Sequence, residues 1–355
     1  MKWLFERTAS AWAHASAAAN RWRGLALYGI DGSSLRVPDT PENRAHFGGQ
    51  SGRKGSESGY PMARIVALMV LRSHILANAW FGPYGGTNEL SPARELQASI
   101  PDDTLTIVDR GFLAATMLLG IQASGQNRHW LTRAKSTSKW RVLRRLGKGD
   151  ELVEMAVSRH ARSQDPSLSR TWTMRAIRYH RKGFRPQTLL TSLLDSKQYP
   201  ASEIIALYHE RWELELGYDE LKTELLDREE TIRSKTRQGV EQELWGILLA
   251  YNLVRVEMER VAKMTKVEPT RISFVESLRL IRDEWAWLSV TSPGAIPKRL
   301  ASLRSNIKRY VVPPRRSKRV YPRAVKIKMS NYDRKRPRVE MRRKLRAAGE
   351  SRRPA

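Results

Sequence analysis

The chain has 355 residues and a formal net charge of +28, from 64 Lys and Arg against 36 Asp and Glu. Hydrophobic residues make up 41%, enough for a large core, which excludes a wholly disordered chain; the basic surplus points to a polyanionic partner, nucleic acid or an anionic membrane. The longest apolar runs, Ile65–Leu71 and Leu244–Ala250, stop far short of the roughly 20 residues of a membrane span, no signal-peptide pattern opens the chain, and the lack of cysteine excludes disulfides and cysteine-built zinc sites and fits a reducing cytoplasm.

Residues 1–24 read as a short helix rich in Ala and Trp. Leu25–Asp31 reads as a strand, Gly32-Ser33-Ser34 as a turn and Leu35–Val37 as the return strand. Thr40 before Pro41 and Glu42 reads as a helix N-cap. Gly48–Gly59 is a Gly/Ser-rich loop, but the phosphate-loop register fails, because Arg53 and Lys54 stand where a glycine is required. Ala63–Ile75 reads as one central strand, Glu89–Ala98 as a helix, and Leu105–Val108 as a short buried strand ending at Asp109. A helix over Leu113–Ala123 and a strand over His129–Arg133 follow. Residues 136–197 change character: Thr171–Tyr179 alternates and Gln187–Leu194 is strand-like, which reads as a β-rich insertion. Ala201–Leu226, Gly239–Lys263 and Arg271–Trp287 are helical. Strands with crossing helices, an insertion and then helices make an α/β protein, with no internal repeat.

Residues 313–355 hold 17 Lys and Arg against three acids, half of the whole charge excess. This segment reads as a basic tail without a core of its own, suited to gripping phosphates.

The helix from Ala201 carries two stripes. Leu207, Leu214, Tyr218, Leu221 and Leu225 recur on one apolar face. Tyr208, Arg211, Glu215 and Lys222 fall within about 60° of one another on an ideal helix. A phenol, a guanidinium, a carboxylate and an ammonium on one face suit an acidic metal ligand flanked by phosphate-holding groups. Taken alone, that face reads first as a solvated one with an i,i+4 ion pair. Asp31 and Asp109, each at a strand end, supply two more carboxylates where open α/β sheets place their sites. Each alone also reads as a turn or capping residue. The seven histidines show no ligand-like pair, so a metal would be held by carboxylates, favouring Mg²⁺ or Mn²⁺. Three such groups can hold two cations for an in-line phosphoryl displacement.

With these residues in place, the chain resembles the DDE transposases of bacterial insertion sequences, in particular the insertion-sequence-4 family. Its spacing Y-x₂-R-x₃-E-x₆-K is met by Tyr208, Arg211, Glu215 and Lys222. Asp31-Gly32-Ser33-Ser34-Leu35-Arg36 is similar to the family's first aspartate motif and Asp109-Arg110-Gly111-Phe112 to its second. Thr191–Asp195 and Tyr251-Asn252-Leu253-Val254-Arg255 flank the signature helix much as in relatives. The resemblance implies an RNase H-like core interrupted by a β-strand insertion. It implies catalytic Asp31, Asp109 and Glu215 as ligands of two Mg²⁺ ions, with Mn²⁺ as substitute, and DNA-binding Tyr208, Arg211 and Lys222. It also implies nicking, release of the element and strand transfer, by a homodimer on double-stranded DNA, in the bacterial cytoplasm and on the nucleoid when DNA-bound.

The expected organisation is residues 1–24 as the end of an N-terminal domain or a linker helix, 25–135 and 200–265 as the two parts of the core, 136–199 as the insertion, 266–312 as a helical region and 313–355 as the tail. Relatives carry a DNA-binding domain ahead of the first aspartate motif, so a chain lacking that domain is expected here. Two other functions fit the same residues, a non-catalytic basic DNA-binding remnant and an RNase H-fold nuclease without strand transfer.

Overall fold

The computed structural model describes residues 1–51, 57–85, 88–181, 185–226 and 232–314. Met1–Tyr179 with Gln187–Pro314 form one compact unit. A second, His180–Pro186 with Arg315–Ala355, lies almost wholly outside the described residues, and with it the expected basic tail.

Helix α1 (Lys2–Ala19) buries Phe5, Ala9, Ala13 and Ala17 at helical spacing. It leads to β1 (Ala26–Arg36), an uninterrupted strand of 11 residues. The expected turn at Gly32-Ser33-Ser34 does not form. β4 (Met62–Val70) runs antiparallel beside the strand from Tyr28↔Val70 to Arg36↔Met62, so the glycine and both serines take ladder positions. Between them lie α2 (Pro41–Phe47), capped by the Thr40 side chain as expected, and a two-residue ribbon of β2 (Gln50–Ser51) and β3 (Glu57–Ser58). Part of the expected Gly48–Gly59 loop is outside the described residues.

The single strand expected over Ala63–Ile75 is a hairpin arm. β4 ends at Val70, the chain reverses with His74 at φ 60°, and β5 (Leu76–Pro83) returns along β4. The Asn252 side chain closes this reversal by accepting from Leu76 N–H and donating to its carbonyl, both at 2.9 Å. Then come α3 (Leu90–Glu95), β6 (Thr104–Val108), α4 (Ala115–Ala123) and β7 (Arg128–Arg133).

These strands lie in the order β5-β4-β1-β6-β7; β4 runs antiparallel to both β1 and β5, and β6 and β7 run parallel to β1. Numbered by sequence within the core this is 3-2-1-4-5, the RNase H-like arrangement. The expected insertion supplies β8 (Arg141–Gly147), β9 (Asp150–Ala156), α5 (Arg159–Gln164), β10 (Thr171–Tyr179) and β11 (Gln187–Thr191). Its strands do not form a separate sheet. β11 pairs with β7, and β10, β9 and β8 follow outward, giving nine strands in one sheet. The buried Arg175 guanidinium ties this part inward, donating to Asp150 at 2.7 and 2.6 Å and to the Tyr199 carbonyl at 2.6 Å.

Alternation along the strands divides the core into two layers. Leu25, Leu27, Leu105 and Ile107 face helices that follow the insertion, through Leu214, Tyr218, Leu248 and Val254. Ala26, Tyr28, Ile30 and Val108 face the other way, onto Leu96, Met117, Leu118 and Ile121. The helices of the first layer are α6 (Ala201–His209), α7 (Trp212–Asp219) and the long α8 (Arg237–Thr265), followed by α9 (Phe274–Leu288) and α10 (Ile296–Ile307). Among the described residues, no helix is long and apolar enough to cross a membrane.

The one long helix expected over Ala201–Leu226 is thus divided. It tightens at Glu210-Arg211, where Glu213 N–H bonds the Glu210 carbonyl and Leu214 N–H the Arg211 carbonyl. It then widens into a π-helical turn over Glu220–Leu225, with Leu226 N–H reaching back to Leu221 O at 3.1 Å.

Candidate active site

Asp31 and Asp109 meet because β1 and β6 run parallel in register, Ile30 opposite Val108. β6 ends there while β1 continues to Arg36, so beyond this point β1 is flanked only by β4. The gap opens at the carboxyl end of two parallel strands, the usual place for a site in such sheets. Asp31 alternates with Ile30 and so points to the layer of α7. Gly29, two residues earlier on that face, leaves room for the helix: a Cβ there would stand 2.7 Å from the Leu214 side chain. The Tyr218 hydroxyl fixes the approach by donating to the Asp31 carbonyl at 2.8 Å.

The result is a cleft of about 420 Å³ in which Asp31, Ser33, Glu215, Asp219 and Lys222 converge. Lys222 Nζ stands 3.4 Å from Ser33 Oγ. Arg211 lies between two of the carboxylates, 2.8 Å from Glu215 Oε1 and 3.8 Å from Asp31 Oδ2. Asp109 is at the margin rather than in the cleft lining, and its carboxylate accepts from Gly111 N–H at 3.4 Å. Tyr208 is 6% exposed and packs into the core beside the site.

The electrostatics follow from this packing. Burial pushes the Asp31 carboxyl up to about 6; the Gly32 N–H bond and Arg211 oppose the rise, while the charges of Glu89 and Asp109 add to it. Burial likewise raises the Tyr208 phenol, keeping it a proton donor. Burial disfavours the Arg211 charge, but its bond to Glu215 and the neighbouring Tyr208, Glu215 and Asp109 hold the guanidinium protonated.

Beneath the cleft, a buried network invisible to helical spacing holds the π turn. Glu220 accepts from Tyr251 at 2.9 Å, pairs with Arg255, and meets His74 Nδ1 at 3.2 Å, while His74 Nε2 meets Glu213 at 2.8 Å. Burial alone would raise the Glu220 carboxyl, yet Arg255 and His74 hold it down to about 2. Tyr251 and Arg255 stand out in the sequence motif, but their partners come from distant segments. Glu89 and Tyr218 carry no sequence signal as site residues, and Ser33 only its place in the first aspartate motif.

In donor chemistry the carboxylates suit a hard divalent cation, which takes oxygen ligands. Among the described residues no three His, Asp or Glu side chains already stand close enough to grip an ion. Arg211 occupies the space between Asp31 and Glu215. Acidic groups at adjoining strand ends, faced by Arg211, Glu215 and Lys222, make an arrangement that can bring a cation and a phosphodiester together.

Comparison with known proteins gives the family. The family described as "Transposase DDE domain" matches residues 23–253. The chain is 39% identical to "Transposase InsG for insertion sequence element IS4" of Escherichia coli K12, over 93% of this chain and 74% of that one. It is 40% identical to "Putative transposase InsZ" of the same strain, over 37% of this chain and 44% of that one. Among solved structures, the piggyBac transposase synaptic complex with hairpin DNA aligns with 82% of this chain and 58% of its own at 12% identity and a TM-score of 0.43. The chain belongs to the insertion-sequence-4 family of DDE transposases, enzymes that cut and rejoin DNA.

Proposed function

We propose that this protein excises and inserts its element by Mg²⁺-dependent hydrolysis and strand transfer at Asp31, Asp109 and Glu215, Mn²⁺ serving as substitute. The observation that carries the reading is the convergence of Asp31 and Glu215 in one cleft beside the parallel-strand end that bears Asp109. Two divalent ions held by these carboxylates would supply activated water and charge stabilisation at the phosphorus.

The protein's own residues do the rest. Arg211, turned from Glu215 to a phosphate, binds it bidentately. Lys222 adds a compact positive charge, and the protonated Tyr208 donates one hydrogen bond. A water oxygen attacks phosphorus as the O3′–P bond breaks, leaving a 3′ hydroxyl and a 5′ phosphate. That hydroxyl then attacks a target phosphodiester, forming a new O3′–P bond and releasing a target 3′ hydroxyl. No bond to the protein forms. Two copies of the chain acting on paired ends would let both ends be cut together.

The test is nicking and strand transfer on a supercoiled plasmid carrying the element's ends, with Mg²⁺, with Mn²⁺ or with chelator. Asp31→Ala, Asp109→Ala and Glu215→Ala each abolish both products while keeping the wild-type circular dichroism spectrum. Full activity of Glu215→Ala refutes the reading, and nicking without strand transfer makes the protein a nuclease.

A further inference from the structure

A further carboxylate reaches this site from the opposite face of the sheet. Glu89 stands at the start of α3, yet its side chain makes no cap bond. Asn88 Oδ1 takes that role, accepting from Leu90 and Ser91 N–H at 3.1 and 3.2 Å. The Glu89 carboxyl is instead laid against Gly32. A Cβ on residue 32 would stand 2.4 Å from the Glu89 carboxyl carbon. Arg64, on β4 opposite Ser34, holds the carboxylate there at 3.1 Å. Gly32 follows Asp31, so its missing side chain would point away from α7. This is also where β6 has ended and the sheet is one strand thinner. Glu89 therefore faces Asp31 across the backbone, through the one position of the motif that has no side chain to keep it off. Its charge acts on both Asp31 and Tyr218.

Resting on the reading that Asp31 binds a divalent cation, we infer that Glu89 is a positioning residue of the site: held by Arg64 against Gly32, it adds negative potential behind Asp31 and tightens cation binding. Nothing in the family match assigns Glu89 a role, and Arg64 and Gly32 acquire one with it. Partners beyond the ligands change metal affinity by about tenfold or more when removed.

The experiment is Mn²⁺ binding to the full chain without DNA, followed by electron paramagnetic resonance of the free ion. Glu89→Gln, which keeps the shape and loses the charge, is expected to weaken binding about tenfold with an unchanged melting temperature. Gly32→Ala, which displaces the carboxylate, is expected to weaken it similarly, and the double variant no further than either single one. A purely structural role for Glu89 would move the melting temperature and not the affinity. Wild-type affinity in Glu89→Gln alongside lost binding in Asp31→Asn overturns the inference alone. Wild-type affinity in Asp31→Asn as well overturns the cation site, and the inference falls with it.

Discussion

Replacing Asp31 with asparagine should make the metal-free protein more stable while removing its chemistry. Burial lifts this carboxyl from 3.8 to about 6. A folded-state value above the unfolded one means that the folded protein holds the proton more tightly. The group's contribution is fully present below pH 3.8 and is lost as pH rises through about 6. About two units at about 1.4 kcal/mol each give a penalty near 3 kcal/mol at pH 8, and about half of that at pH 5. The asparagine side chain carries no charge to desolvate and still accepts the Gly32 N–H bond, which the aspartate makes at 2.8 Å. Thermal melts in chelator should therefore place Asp31→Asn above wild type by about 5 °C at pH 8, with a gap about half as large at pH 5. Adding Mg²⁺ should narrow the gap at pH 8 by stabilising only the wild type. Coincident melts at pH 8, or a gap equal at both pH values, would refute the argument that Asp31 sits ionised in a desolvated place.

Arg255→Met leaves Glu220 buried without its main partner and should cost about 3–5 kcal/mol in urea unfolding. In the wild type the Glu220 contribution, present above pH 4.5, should fade as pH drops towards about 2, a loss that acid titration of Arg255→Met should lack. Gly29→Ala overpacks the Leu214 contact and should cost about 1–3 kcal/mol, with cleavage falling further than stability as α7 shifts from β1. Arg211→Ala removes the cation bridging Asp31 and Glu215, so Mn²⁺ should bind the DNA-free protein more tightly while DNA cleavage drops; weaker Mn²⁺ binding would contradict the bridge. Deleting residues 315–355, which hold 17 basic residues, should flatten the dependence of non-specific DNA affinity on salt, measurable by fluorescence anisotropy.

What the sequence made legible was local. The apolar stripe of Leu207, Leu214, Tyr218 and Leu221 is buried as its spacing requires, and Asp109 follows a buried strand. Glu215, Arg211 and Lys222 do share a region, although not on an ideal helix: a tightened turn and a π turn intervene. Non-local pairing stayed hidden. Ser33 and Ser34 look like turn residues until β4 supplies a partner strand, and Leu76–Pro83 carries Asn78, Gly82 and Pro83, which mask its strand character. Nothing in residues 141–191 says that their strands pair onto β7. Glu89 has an ordinary place at a helix start, and its contact with Gly32 exists only in three dimensions.

The chain order of the site has a consequence for synthesis. Both aspartates, Asp31 within β1 and Asp109 just past β6, are made before residue 110, whereas Glu215 arrives about a hundred residues later, some 5–20 s at ribosomal rates. The five core strands can pair while the acidic helix is still unmade. On the proposed chemistry, a nascent chain at that stage would hold a sheet with two of the three carboxylates and would not yet cut DNA.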